Sequence, residues 1–358
     1  MEQIIEVHDF STELTSPGRI IRCPNELPAS KQQWYVFLAG PIQGAPEWQN
    51  SIDMIPGVTF LSPRRVSYDN FNYNEQVNWE TEAMRTADVI LFWIPEEAEH
   101  IEGRGYAQTT RTEFGEYIAM GKKVIIGIYD KFPGRRYFAS KCKQYGITEL
   151  HDSLQGVIGE LKAYINECNR RKLEEKIFVT SDTHFGSKRT LELSRRPFRN
   201  VDDMDWRLVE NWNRVVHPGD KVFHLGDFGD TKWVRYLNGD ITLLYGNYER
   251  KDIADGKLTK EDLRVFRKVY DKKYLPVAIE DDLYIMSHEP LNGIGGRTDY
   301  IEDKPMVLYG HIHARQKIKP FGTDVGVDGA NYTPMSLADV RFFQNALDKG
   351  YYDEEVWC

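Results

Sequence analysis

Short apolar runs bounded by polar residues recur along this chain in two series. In the first, residues 34–42 (WYVFLAGPI), 58–61, 87–94 (ADVILFWI) and 124–128 have the length and composition of buried strands. Helical segments separate them. Residues 74–86 are rich in helix formers, and residues 112–120 end at Gly121, which suits a helix C-cap. In residues 151–168, Leu154, Val157, Ile158, Leu161 and Ile165 recur at helical spacing. Strands alternating with helices predict a parallel sheet covered on both faces. Residues 1–30 read as an extension in which Ile4-Ile5 and Ile20-Ile21 form an edge hairpin across Ser16-Pro17-Gly18. The charged run 169–176 (NRRKLEEK) reads as a junction, so the predicted organisation is 1–30, 31–172 and 173–358.

In the second series each apolar run ends in a potential metal ligand. Residues 177–179 precede Asp182 and His184, and Val222-Phe223 precedes Gly226-Asp227. Residues 241–244 precede Gly246-Asn247, residues 283–286 precede His288, and Val307-Leu308 precedes Gly310-His311 and His313. In an extended segment, residues i and i+2 face the same side, which would bring Asp182 and His184 together. Carboxylate, amide and imidazole donors suit Mn, Fe, Zn or Ni ions. Five such runs in succession predict one converging site rather than scattered core polar groups. Between the first two runs, Met204, Leu208, Trp212 and Val215 predict a packing helix. Arg195, Arg196 and Arg199 ahead of it either line an approach for phosphate or form a solvated surface.

The order Asp-x-His, Gly-Asp, Gly-Asn, His, Gly-His-x-His resembles the calcineurin-like metallophosphoesterases over about residues 176–339. The resemblance implies a layered α/β/β/α sandwich and a site for two divalent ions. One ion would take Asp182, His184 and His313; the other would take Asn247, His288 and His311; Asp227 would bridge them. Two metals can lower the pKa of a water and clamp phosphoryl oxygens. Many members carry a His after the Gly-Asn, where this chain has Tyr248. A phenol with a reference pKa near 10 donates a hydrogen bond but shuttles protons poorly at neutral pH.

No G-x-G-x-x-G follows the first strand, so a dinucleotide reading has no support. Instead AGPI, ADVILFWIPEE and TRTEFGEYIAMGKKVI resemble the nucleoside 2-deoxyribosyltransferases over about residues 34–129. That implies a flavodoxin- or Rossmann-like domain with its ligand beyond the carboxyl ends of the strands. The family's carboxylate nucleophile matches Glu113, expected in the first turn of a helix and kept ionised by it. The acid that contacts the base matches Glu80, beside Trp79, while Glu96, Glu97 and Glu99 compete for a second acid. Gly40, Pro41 and Trp79 would line the pocket. Arg64 and Arg65 would either grip a 5′-phosphate or lie on a solvated loop. Asp88 is expected to fix a helix–strand junction.

Composition narrows this picture only a little. A formal net charge of −9 argues against a broad surface for long nucleic acid. The four cysteines, Cys23, Cys142, Cys168 and Cys358, show no paired spacing, which points to a reducing cytoplasm. No apolar run approaches the length of a membrane span. The expected partners are a nucleotide or nucleoside substrate and a second copy of the chain. The expectation is a bifunctional nucleotide-processing enzyme: a dimetal phosphoesterase joined to a domain that cleaves or exchanges the base of deoxynucleosides or deoxynucleotides. The alternative makes the first domain a non-catalytic nucleotide sensor.

Overall fold

The structure is a computed structural model that describes residues 4–8, 14–28, 30–291, 305–313, 318–319 and 322–349. The chain divides into two compact units, residues 13–170 and residues 171–358 together with 1–12. This division overturns the expected N-terminal hairpin. β1 (Ile5–Val7) pairs parallel with a strand at Tyr274–Ile279 in the second unit. β2 (Arg19–Arg22) pairs parallel with β4 (Val58–Ser62) in the first. Each apolar pair finds a sheet edge of its own, and the turn residues between them do not fold it back.

In the unit 13–170, β3 (Trp34–Ala39), β4 (Val58–Ser62), β5 (Val89–Ile94) and β6 (Lys123–Ile128) join β2 in an all-parallel sheet of order β2-β4-β3-β5-β6. Its four helices are α1 (Tyr73–Thr86), α2 (Gln108–Ala119), α3 (Arg135–Gln144) and α4 (Leu154–Asn169). Strand alternation divides the core in two. Tyr35, Phe37 and Ala39 of β3 pack with Trp79, Phe114 and Phe138 of the first three helices. Trp34, Val36 and Leu38 pack with Val157, Leu161 and Ile165 of α4. Asp88 holds the α1–β5 junction, accepting from Lys31 Nζ at 2.6 Å and from the Tyr35 N–H at 2.8 Å.

The second unit is a two-sheet sandwich. β7 (Ile177–Thr180), β8 (Lys221–His224), β9 (Asp240–Leu244), β10 (Lys268–Tyr270) and the short β16 (Met335–Ser336) form one sheet, ordered β10-β9-β8-β7-β16. The other contains β1, β11 (Tyr274–Ile279), β12 (Asp282–Ser287), β13 (Met306–Tyr309), β14 (Ile318–Lys319) and β15 (Gly322–Asp324), ordered β1-β11-β12-β13-β15-β14. Ile177 and Val179 of β7 face the core between the sheets, with Val277, Met286 and Leu308 of the opposite sheet. Phe178 faces outward onto Met204, Leu208 and Trp212 of α6 (Val201–Val215). A short α5 (Lys188–Leu193) precedes α6. α7 (Asn247–Ala254) follows β9, and α8 (Leu337–Asp348) follows β16, sending Leu337 and Val340 into the inter-sheet core.

Candidate functional site

β7, β8, β9, β12 and β13 end side by side, and seven polar side chains gather just beyond them. The Asp-x-His pair does not sit on an extended segment as expected. β7 stops at Thr180, and Asp182 and His184 both take positive φ, 58° and 49°. Asp227, His311 and His313 do the same at 57°, 72° and 48°. Asp, Asn and His tolerate this left-handed region better than bulkier residues. Sharp turns after β7, β8 and β13, rather than strand alternation, aim these five groups inward.

The ligand atoms face one another at close range. His184 Nε2 lies 3.9 Å from Asp182 Oδ1 and 3.6 Å from Asp227 Oδ2. His313 Nε2 lies 4.0 Å from the same Asp182 Oδ1. On the other side of Asp227, its Oδ2 is 3.5 Å from His288 Nε2. That nitrogen is also 2.8 Å from Asn247 Oδ1 and 3.2 Å from His311 Nδ1. His311 Nδ1 in turn lies 3.2 Å from Asn247 Oδ1. His288 Nδ1 is 2.8 Å from the Leu225 carbonyl and donates to it, which leaves Nε2 bare. Asp182 Oδ1 and His184 Nε2 are buried without a hydrogen-bond partner among the described residues.

Lone pairs aimed at common points in a buried site are unfavourable unless cations lie between them. The proton affinities agree. Burial, then the nearby Glu249, pushes Asp227 up to about 8, while burial holds His184 and His288 below the usual histidine range. Ligand spacings from 2.8 Å to 4.0 Å suit metal–ligand bonds of about 2.0–2.1 Å. The donor set therefore fits two divalent ions, one with Asp182, His184 and His313, the other with Asn247, His288 and His311, sharing Asp227. Two glycines keep the cradle open: a Cβ at Gly246 would lie 2.2 Å from Asp227 Oδ1, and one at Gly310 2.3 Å from Asp182 Oδ2.

Tyr248 sits beside this cluster, its ring edge-on to His184 at 4.9 Å and its N–H donating to Asp227 Oδ1 at 2.9 Å. Glu249, which the sequence reading passed over, is 4% exposed and accepts three backbone N–H groups. They come from Asp227, Phe228 and Gly246, each at 2.8 Å. A Glu three residues into a helix that follows a Gly-Asn turn is the signal that could have found it. Of the three arginines ahead of α6, Arg196 is not on a solvated surface: it is 4% exposed and paired with Asp328 at 2.9 Å. Arg195 and Arg199 are exposed.

The unit 13–170 carries the second cluster. β3 and β5 approach closely at their carboxyl ends; a Cβ on Gly40 would lie 2.2 Å from the Trp93 carbonyl oxygen. The Pro41 carbonyl accepts from Trp48 Nε1 at 3.4 Å. Arg64 and Arg65 are buried rather than on a solvated loop. Arg64 donates to Gln49 and to the Ile42 carbonyl, and Arg65 to Gln76 at 2.7 Å and Glu75 at 2.5 Å. Gln76 passes the contact on, donating to Glu80 Oε1 at 2.7 Å. Trp79 belongs to the core, with its indole N–H on the Asn25 carbonyl at 2.8 Å. Glu96, Glu97 and Glu99 are all exposed.

Glu113 departs from expectation. α2 begins at Gln108, after Ala107 in a left-handed turn, so Glu113 lies in the second turn rather than the first. It is half-buried, and burial, then the Glu80 and Glu116 carboxylates, pushes it up to about 8. Burial raises Glu80 as well. The nearby Glu80 carboxylate thus disfavours the charged form of Glu113.

Comparison with known proteins agrees with both units. Residues 33–132 match the family described as nucleoside 2-deoxyribosyltransferase like. Residues 176–325 match the calcineurin-like phosphoesterase superfamily domain. The uncharacterized protein MJ1445 of Methanocaldococcus jannaschii is 27% identical over 177 residues, 45% of this chain and 87% of the relative. The Gene 66 protein of Mycobacterium phage L5 is 28% identical over 176 residues, 39% of this chain and 83% of the relative. A solved structure of a protein of unknown function, AQ665 from Aquifex aeolicus, covers 47% of this chain and 98% of its own, with a TM-score of 0.37 and 22% identity. The chain thus joins a nucleoside 2-deoxyribosyltransferase-like domain, residues 33–132, to a calcineurin-like phosphoesterase domain, residues 176–325.

Proposed function

We propose that the second unit is a metal-dependent phosphoesterase acting on a nucleotide, and that the first cleaves or exchanges the base of a deoxynucleoside or deoxynucleotide. The observation that carries the first half is the pair of lone-pair clusters meeting at the Asp227 carboxylate. Two divalent ions (Mn, Fe, Zn or Ni) held by these donors would supply Lewis acidity toward phosphoryl oxygens and acidify a water. The chain's own residues do the rest. Asp227 shares its charge between the two clusters, and Glu249 fixes the backbone that presents it. Tyr248, whose ring contacts His184, would offer a phenolic hydrogen bond to the ester. No side-chain nucleophile is needed on this unit.

The second half rests on Glu113 of α2 and Glu80 of α1, near enough for the Glu80 carboxylate to raise Glu113. One feature favours the rival reading of this unit as a nucleotide sensor: burial, then the Glu80 and Glu116 carboxylates, pushes Glu113 up to about 8, toward its neutral form. A neutral carboxyl donates a hydrogen bond to a base but does not attack an anomeric carbon until it loses its proton. The test is to incubate the purified protein with Mn²⁺ and a panel of nucleotides and cyclic nucleotides, reading phosphate and free base separately. Metal-dependent phosphate release is expected, abolished by chelator, together with base release from at least one deoxynucleotide. Absence of phosphate release from every ester would overturn the phosphoesterase reading. Tight nucleotide binding without base release would favour the sensor.

A further inference from the structure

The Asp328 carboxylate touches two groups at once. Its Oδ2 lies 2.8 Å from His313 Nδ1, and its two oxygens accept from Arg196 Nε and Nη2, both at 2.9 Å. Arg196 is buried, and it also donates to the backbone carbonyls of Asp182 at 2.6 Å and Thr183 at 2.8 Å. One guanidinium therefore joins the backbone of the Asp-x-His turn to the carboxylate behind His313.

We propose that Asp328 is the positioning residue for His313, and that Arg196 is the clamp that sets Asp328. The inference rests on the dimetal reading above. An ionised carboxylate only accepts, so its contact requires a His313 proton on Nδ1, and in the neutral ring that leaves the lone pair on Nε2. Nε2 is the atom that faces Asp182 Oδ1. A carboxylate behind a ligating imidazole fixes its tautomer and orientation and makes it a better donor. Ser194 Oγ lies 3.3 Å from the same Nδ1 and is the weaker rival contact. The bidentate Arg196–Asp328 pair constrains the carboxylate more than a single hydrogen bond could. His313 is also stacked on His184, with ring centroids 5.3 Å apart, so its tilt bears on both donors of that cluster.

The test uses the full chain, titrated calorimetrically with Mn²⁺ as wild type, Asp328→Asn, Asp328→Ala and Arg196→Lys. A long-range proton–nitrogen correlation spectrum of the metal-free protein reads the His313 tautomer. The wild type is expected to bind two ions and to carry the His313 proton on Nδ1. Asp328→Ala should weaken one ion by about 10- to 100-fold and leave the other nearly unchanged. Asp328→Asn, which keeps an acceptor, should fall between and remain folded even if the alanine variant does not. Arg196→Lys, which cannot make the two-pronged contact, should weaken the same ion. Wild type binding fewer than two ions would sink the dimetal reading itself. Two ions bound with unchanged affinity in folded Asp328→Asn and Asp328→Ala, or a neutral His313 protonated on Nε2 in the wild type, would overturn the positioning role.

Discussion

Glu249 holds Asp227 from behind: the Asp227 N–H donates to Glu249 Oε2 at 2.8 Å, and the Gly246 N–H donates to the same oxygen. One buried carboxylate thus fixes the turn after β8 to the turn after β9, the two turns that carry Asp227 and Asn247. Glu249→Ala leaves three buried N–H donors unpaired, each costing about 1–3 kcal/mol. Denaturant unfolding should show a loss of several kcal/mol, on the order of 3 or more. Glu249→Gln keeps one oxygen and should lose less. A fully stable alanine variant would rule out this tie.

Asp227→Asn removes the charge that both ligand clusters share. Phosphate release should fall by about a thousandfold, which corresponds to about 4 kcal/mol of lost stabilisation in the transition state. Bound metal, read by elemental analysis after dialysis, should drop below two per chain. An active, fully loaded variant would contradict the bridging role. Because burial and Glu249 disfavour the Asp227 charge, the metal-free Asn variant should be no less stable than metal-free wild type.

Tyr248 is held by its backbone bond to Asp227 and its ring contact with His184. Tyr248→His should raise kcat on monoesters with poor leaving groups more than on activated aryl esters, since only the former need a proton from the enzyme. Equal gains on both substrate types would count against a leaving-group role.

Glu113 makes a pH prediction whose sign is fixed by its raised value in the fold. Its reference value is about 4.3 unfolded, and the fold raises it to about 8. Between those values the folded state keeps a proton that the unfolded state has lost, so stability declines as pH rises through this window and levels off above about 8. Glu113→Gln should therefore melt at the same temperature as wild type near pH 4 and higher than wild type near pH 9. If the charged form is the nucleophile, base release by wild type should rise with pH through the same window. An unchanged melting difference across the range would show that Glu113 is not held neutral.

The metal cluster was legible because each ligand follows an apolar run that ends in a small residue, and the sheets align those ends. The turn geometry was not legible: nothing local in Ser181 to His184 announces two consecutive ligands in left-handed conformations, and the extended reading of Asp-x-His failed there. In the first unit, the residues between β5 and α2 hid the start of the helix, so Glu113 was placed one turn too early. Arg65 and Trp79 were read as pocket groups because their chemistry suits a ligand. Their partners, Gln76 and the Asn25 carbonyl, become visible only once α1 has packed on the sheet. Arg196 and Asp328 stand 132 residues apart, beyond any local pattern.

The placement of β1 decides how this protein can be cut. β1 lies at the edge of the six-stranded sheet, beside β11, although the whole of residues 13–170 intervenes in the chain. A truncation that starts at residue 171 would therefore keep every ligand of the metal cluster and yet strip off an edge strand, baring the β11 backbone to association with other chains. During synthesis β1 leaves the ribosome long before its partner exists, so this sheet can be completed only after the intervening unit has been made. A faithful excision of the phosphoesterase needs the opposite cut: residues 13–170 removed from within and the first strand rejoined by a linker.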